Sequence, residues 1–505
     1  MFLVLFTFIT LLIYMFLTYV GGRPHPKFPP GPYRWPVWGG YLQLLLENYK
    51  FPHEAMHWMS RRYKTEVLGL YLGPYPTVVA CTPNSVRDIL NHPNMQGRIS
   101  SVVSNMRDPD GVTRGQFFID GDRWTEQRRF MLRNLRDFGF GTRSTQLEKI
   151  MEEEIRDFID LVQTKNHEGF CSDGKVKVPP VFYAYFTNLA LQVFLGTRIP
   201  PSQYQKLKKF VSDCYCFSRN LDPTTGAIGL TPWVRHFAPG FFGFTSLVKS
   251  NDCIKEFIHE VTNDHKGTFM SDALRDFCDT YLKEIKDKDN TDDKHWFSDE
   301  QMVMTIWDTL FAAVITQATT MCFLVEVLLE YPEIQAKAQQ EVDDMIGRSR
   351  LPTLDDRKNL PYLEALMREV MRRKTLTPVV LPHRCTEDTY FYGYFIPKNT
   401  MVLANQWSNN MDEKLWDNPY EFRPERHLEE DGTIKKKDMV LAFGFGKHVC
   451  SGETFSRQNM MVMLATMVQN FNVKLPEGHS MPDEKNHLPG SIVNPHHFEV
   501  IMEPR

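Results

Sequence analysis

The chain begins with a stretch that has no charge. From Phe2 to Val20 there is no Asp, Glu, Lys or Arg; no Lys or Arg precedes the run, and Arg23 and Lys27 follow it. That lack argues against a cleaved secretory peptide, which starts with a basic region. Nineteen helical residues at ~1.5 Å rise span ~28 Å, close to the ~30 Å hydrocarbon core of a bilayer. The run predicts a signal anchor over residues 1–22, and the basic residues behind it predict that the rest of the chain stays cytosolic. No later segment reads as a second span, so a single-pass protein is expected.

A cysteine framework is lacking too. The nine cysteines stand at 81, 171, 214, 216, 253, 278, 322, 385 and 450, an odd number with no repeated spacing. Cys214-x-Cys216 is too tight for the usual zinc pair. The pattern excludes a disulfide scaffold and points to a reducing compartment, with most thiols acting as small buried hydrophobes. There is no excess of positive charge: 58 Lys and Arg face 62 Asp and Glu, a net −4, so no nucleic-acid partner is expected. No repeat, low-complexity tract or internal linker divides the 505 residues.

Proline and aromatics are plentiful. Phe28-Pro29-Pro30-Gly31-Pro32 is a stiff non-helical stretch, so residues 23–35 read as a hinge and 36–505 as one body. Aromatics make up 13% of the chain, with 36 Phe, which fits either an aromatic core or a large apolar cavity.

The body reads as mainly α with small β-sheets. Helical spacing predicts helices near 53–63, 84–91, 122–136, 144–164, 178–195, 203–218, 251–267, 269–287, 298–330, 332–347, 355–374 and 453–471. Short strands are predicted at Glu66–Tyr71, Thr77–Ala80, Tyr390–Tyr394, Met401–Ala404 and Phe498–Met502, and the charged run Lys283–Lys294 as a solvated loop. The 298–330 helix opens on a capping-box pattern, Ser298-x-x-Gln301, and stops at Tyr331-Pro332. It is apolar nearly all round from Thr305 to Leu329, so it should cross the core. Thr316, Thr319 and Thr320 share one of its faces.

The chemistry-bearing run is Phe443-Gly444-Phe445-Gly446-Lys447-His448-Val449-Cys450-Ser451-Gly452. Two glycines one residue apart allow a tight turn at positive φ. Cys450 follows the turn and precedes a helix, whose N-terminus favours a thiolate. A thiolate offered from such a loop to a planar metal cofactor is a haem axial ligand, and it pushes electron density into iron.

On these residues the chain resembles the cytochrome P-450 family over nearly its whole length. The loop matches the family pattern F-G/S-x-G-x-R/H-x-C-x-G, with His448 where Arg is commoner. Glu369-Val-Met-Arg372, 81 residues before Cys450, resembles the K-helix E-x-x-R pair, and Arg426 of Phe422-Arg-Pro-Glu-Arg426 the residue that completes its buried triad. Trp124-x-x-x-Arg128 resembles the C-helix motif. The resemblance implies a P-450 fold and haem, with Cys450 on iron. It implies Phe443 in the haem loop, and Arg98, Trp124, Arg128, His383 and His448 on the propionates. On the 298–330 helix the family pattern A/G-G-x-D/E-T places its Thr 16 residues before Pro332, at Thr316. Here Ala313 stands for the Gly and Ile315 for the acid, so the acid that relays protons is missing. Two activities follow as expectations. One is a monooxygenase using O2 and electrons from an NADPH-cytochrome reductase. The other is an isomerase or dehydratase acting on a pre-oxidised lipid. A non-enzymatic haem carrier is a third, weaker reading.

Arg123, Arg129, Arg133 and Arg136, with Lys435 to Lys437 and Lys447, are candidates for a basic reductase-docking patch. Val379, Val380, Leu381, Ile492 and Val493 suit a lipophilic pocket, and the aromatic stretch 228–245 a membrane-facing entrance. Phe-Gly-Phe-Gly-Lys-His-Val-Cys and Pro382-His383-Arg384 resemble insect microsomal members related to vertebrate drug-metabolising ones. That resemblance implies an endoplasmic-reticulum membrane location. It also implies hormone-like, terpenoid or steroid-like substrates, or foreign lipophiles such as insecticides.

Overall fold

Apolar residues recur at helical spacing through most of the chain, and helices build most of the molecule. The computed structural model describes residues 2–22, 24–108, 110–140, 144–164, 167, 169–220, 227–291 and 294–505. The helices that matter below are α1 (Phe2–Gly21), α2 (Gly121–Leu135), α3 (Tyr183–Leu195), α4 (Tyr204–Asn220), α5 (Asp299–Glu330), α6 (Pro361–Arg373) and α7 (Glu453–Asn470).

The 32-residue α5 is the axis of the core, packed against α3, α4, α6, α7 and the Phe244–Thr268 helix. It is long and apolar enough to suit a membrane, but 78% of its apolar window is buried inside the protein, so it is a core helix. Its N-cap is half the expected box. The Ser298 hydroxyl accepts from Gln301 N–H at 3.1 Å. The Gln301 amide, however, is buried and donates to Gly115 O at 2.9 Å, because a tertiary partner there satisfies a buried carbonyl that water cannot reach.

A five-stranded sheet flanks this core. Its strands are β1 (Val67–Leu72), β2 (Tyr75–Ala80), β3 (Gly97–Arg98), β4 (His383–Arg384) and β5 (Met401–Ala404), in the order β1-β2-β5-β4-β3. β2 and β5 run parallel with Val79 beside Leu403; the other pairs are antiparallel. The β3–β4 register sets Arg98 opposite His383. A second sheet joins Phe471–Lys474, Phe498–Pro504, Lys175–Val178 and Cys171–Ser172.

Several boundaries differ from expectation. The segment Tyr390–Tyr394 is a hairpin, Thr389–Phe391 against Tyr394–Ile396, turning at Tyr392 and Gly393 with φ 51° and 80°. The helix expected over 269–287 runs Phe277–Asp289, capped by Asp276, so the charged run from Lys283 is partly helical rather than loop. The helix expected from 251 begins at Phe244. Phe471 leaves α7 and opens a strand.

α1 is a single helix, with Ile9, Leu11, Leu12, Ile13 and Phe16 exposed. The Pro-rich stretch behind it is docked, not free. Lys27 O accepts from Phe395 N–H and Pro30 O from Gly69 N–H, both at 2.9 Å, and Phe28 is buried. A Cβ on Gly31 would lie 1.7 Å from Gly69 O, so only glycine fits that crossing.

Candidate active site

The Phe443–Gly452 loop is shaped by its glycines. Gly444 and Gly446 have φ of 78° and 75°, a region that other residues adopt only with strain. A Cβ on Gly446 would also lie 2.5 Å from Leu90 O. The loop closes when Cys450 N–H donates to Phe443 O at 2.8 Å, and α7 follows at Glu453. Cys450 lies deep in the protein, and its accessible surface faces a cavity of about 340 Å³ that it lines.

Burial pushes the Cys450 thiol above its usual pKa. The Gly452 N–H and the Arg128 charge pull the other way without cancelling it. The Gly452 N–H at the start of the helix thus favours the thiolate, as its position suggested, against the cost of burial, and a bound metal ion would favour it further.

Basic groups ring the same cavity. Arg98, Trp124, Arg128 and His448 line it beside Cys450, and so do Phe443 and, from α5, Thr316. The Arg98 guanidinium stands 3.1 Å from His448 Nδ1 and donates to Leu381 O at 3.0 Å, while its Nε is buried with no partner. Arg128 donates to Val449 O, and the Trp124 ring lies 4.1 Å from that of His448. Burial, helped by the Arg98 charge, holds His448 down at about 3, and burial lowers Arg98 to about 10. His383 is close but set back. Its Nδ1 lies 2.9 Å from Met95 O and its ring is 4.9 Å from His448, yet it does not line the cavity.

Arg98 and Arg128 thus stand at one edge of the cavity with a neutral His448 beside them and His383 packed behind it, and the nearby Asp120 already accepts from Arg98 N–H and Arg384. Burying cations that repel each other is costly. The arrangement fits a flat group with acidic arms at this edge and a thiolate-binding metal at its centre, which is the chemistry of haem. Above Cys450 the walls are apolar: Phe117, Phe311, Ala312, Ala313, Val379 and Ile492.

The oxygen-side helix departs as the sequence says. Ile315 is fully buried and Ala313 lines the cavity. Thr316 donates its hydroxyl to Ala312 O at 2.8 Å, as helical Thr side chains do. Gln317 Nε2 bonds Ala313 O, and its Oε1 is buried without a partner.

Sequence reasoning missed two parts of this site. Asp308, two turns before Thr316, is fully buried. It takes Arg107 at 2.5 Å and the N–H groups of Gln116 and Phe117 at 2.5 and 3.0 Å. An acid inside an otherwise apolar helix was the available signal. His427 donates to Glu369 at 2.9 Å beside Arg372 and Arg426; nothing in its spacing announced it. Of the basic-patch candidates, Arg129, Arg133, Arg136, Lys435 to Lys437 and Lys447 are exposed. Arg123 instead turns inward to Gln301 at 2.8 Å.

Comparisons with known proteins agree with this geometry. The Cytochrome P450 family profile matches residues 29–502. Farnesoate epoxidase of Bombyx mori is 30% identical over 98% of both chains, and Cytochrome P450 2B2 of Rattus norvegicus is 31% identical over 92% of both. Cytochrome P450 2B4 of Oryctolagus cuniculus is 30% identical over 90% of this chain and 89% of its own. The chain belongs to the cytochrome P450 family, and it is an oxidoreductase of the monooxygenase type whose cofactor is iron protoporphyrin IX on a cysteine thiolate.

Proposed function

We propose that this protein oxidises a lipophilic small molecule with O2 and electrons passed from NADPH through a reductase, anchored on the endoplasmic-reticulum membrane by residues 1–22. In this reading residues 23–35 are the hinge, 36–505 the cytosolic catalytic body, and the protein is microsomal. Cys450 is the iron ligand. Arg98, Trp124, Arg128 and His448 hold the propionates, with His383 packed behind His448, and Phe443 walls the haem loop. Thr316 is the hydroxyl on the oxygen side. When bound, the haem supplies oxygen activation; the chain supplies the thiolate, the cationic edge and the apolar walls that orient substrate and exclude water.

The observation that carries this reading is the coincidence of Cys450, the cationic edge with its unpartnered Arg98 Nε, and the apolar wall in one cavity. The named activity of the Bombyx mori relative, and the apolar cavity itself, favour a substrate of terpenoid or similar lipophilic character. The exposed arginines of α2 and the lysines near 435–447 suit an acidic electron donor. The reading with a pre-oxidised lipid rests only on the missing acid, and none of the three relatives cited above is named for such a reaction.

The test is spectral and then catalytic. The reduced, CO-bound protein is expected to show the red-shifted Soret band of thiolate ligation. Cys450→Ala should abolish it while Cys385→Ala leaves it intact; a band that survives loss of Cys450 overturns the ligand. Product formation should stop when NADPH or reductase is withheld, and turnover of a peroxidised lipid without either would favour the other reading.

A further inference from the structure

Thr316 lies on the boundary between two cavities. It lines the large one and also a smaller one of about 40 Å³ wedged between α5, α6 and α7. Leu376, Thr377, Ala442, Phe443 and Ser456 likewise face both. Half of the fourteen residues around the small cavity have polar side chains: Thr316, Gln317 and Thr320 from α5, Lys374, Thr375 and Thr377 after α6, and Ser456 from α7. A buried space holds ordered water when it is polar and larger than one water-sized sphere, roughly 10–15 Å³; this one meets both conditions. Gln317 Oε1, buried with no protein partner, is a ready acceptor for such a water.

The far end of the cavity reaches a proton source. The Lys374 side chain is 9% exposed and lies 3.1 Å from Glu484 and 3.7 Å from Glu326. Glu484 is 43% exposed, so the Lys374–Glu484 pair reaches from the cavity to bulk solvent. At the near end, Thr320 donates to Thr316 O at 2.9 Å and Thr316 to Ala312 O at 2.8 Å. Both hydroxyl oxygens keep lone pairs free to accept from water.

We propose that the small cavity is the proton entry to the haem side of Thr316, standing in for the acid that Ile315 does not provide. Lys374 gives a proton to water in the cavity, Thr320 holds that water, and Thr316 accepts a proton as it passes its own forward. Lys374 is then reprotonated from solvent through Glu484, so one proton moves inward per cycle and no residue changes its net state. Insertion of one oxygen atom into RH, with the other released as water, takes up O2, two electrons and two protons. Release of hydrogen peroxide consumes the same but leaves RH unchanged. The relay therefore governs how electrons divide between product and peroxide. Thr320 and Lys374 act through Thr316 and are positioning and relay residues.

The proposal rests on the monooxygenase activity, and wild-type product formation with NADPH and reductase checks that separately. The test uses full-length holoenzyme carrying Thr320→Val, Lys374→Met or Lys374→Arg. Thr320→Val and Lys374→Met are expected to raise the peroxide-to-product ratio severalfold and to enlarge the solvent deuterium effect on product formation. The CO band should stay unchanged, and Lys374→Arg, whose guanidinium keeps the charge but does not release its proton, should stay uncoupled like Lys374→Met. A high-resolution crystal structure of the resting wild type should show water linking Thr316, Thr320 and Lys374, lost in Thr320→Val. Wild-type coupling in both Thr320→Val and Lys374→Met, or a dry cavity in the crystal, overturns the relay whether or not the substrate is known.

Discussion

Glu369 receives five hydrogen bonds: two from Arg372, one each from Arg426 and His427, and one from Arg423 N–H. All are within 3.0 Å and the carboxylate is fully buried. Burial alone would raise its pKa, but the bonds from Arg372 and His427 and the Arg372 charge outweigh it and hold it at about 2. Burial lowers His427, so it donates as a neutral ring. The sign follows from a folded pKa below the ordinary 4.5: the stabilisation is complete above 4.5 and fades as pH falls toward 2, for a total of about 3 kcal/mol. Urea midpoints of the wild type should therefore decline with acid in that window, and those of Glu369→Gln should decline less. At pH 7 Glu369→Gln should lose about 3–5 kcal/mol, the usual cost of stranding buried cations, and yield little haem-loaded protein by CO spectrum. Wild-type stability in that variant would show that the two arginines are held by their carbonyl partners alone.

Among the elements, α5 was legible almost to the residue, because a long apolar run between a Ser cap and a Pro has one reading. The 269–287 helix was not, since its true start depends on the Asp276 cap, whose side chain accepts from Asp279 N–H at 3.0 Å. Cys450 was readable from its loop, because glycine at positive φ leaves a local trace. The Arg107–Asp308 pair left only the acid in α5 as a trace, because its partner is 201 residues away in sequence and set by tertiary packing. That pair clamps the segment carrying Gln116 and Phe117 onto α5, and Arg107 also lies 4.3 Å over the Trp307 ring. Asp308→Ala should destabilise by about 3–5 kcal/mol, because it strands a buried guanidinium. Arg107→Met with Asp308→Leu should cost much less, since no charge is left behind. The measurement is thermal unfolding of the wild type and the two variants, with substrate-induced spectral shifts reporting the cavity wall. Equal losses in the single and double variants would mean that the Gln116 and Phe117 backbone bonds, not the ion pair, hold the segment.

At the scale of the whole molecule, two surfaces lie outside the core. One is α1 with its exposed apolar side chains. The other is the Trp233, Phe237 and Phe241 group, 52%, 79% and 87% exposed. Exposed apolar area of this kind marks a membrane or partner contact. The Arg34 guanidinium ties α1 to the sheet, lying 4.3 Å over Tyr19 at the end of α1 and 3.9 Å over Tyr71 of β1. Because Lys27 to Gly31 are hydrogen-bonded to the body, the body is expected to fold without α1. Deleting residues 2–21 should leave the CO spectrum unchanged while the protein still sediments partly with phospholipid vesicles. Adding Trp233→Ser, Phe237→Ser and Phe241→Ser should release it to the supernatant. If the deletion alone frees the protein completely, the aromatic group makes no membrane contact. If even the combined variant stays with the vesicles, a third surface holds it. The haem site should not feel either change, since among the described residues neither α1 nor Trp233, Phe237 or Phe241 lines the cavity that Cys450 and the arginines face.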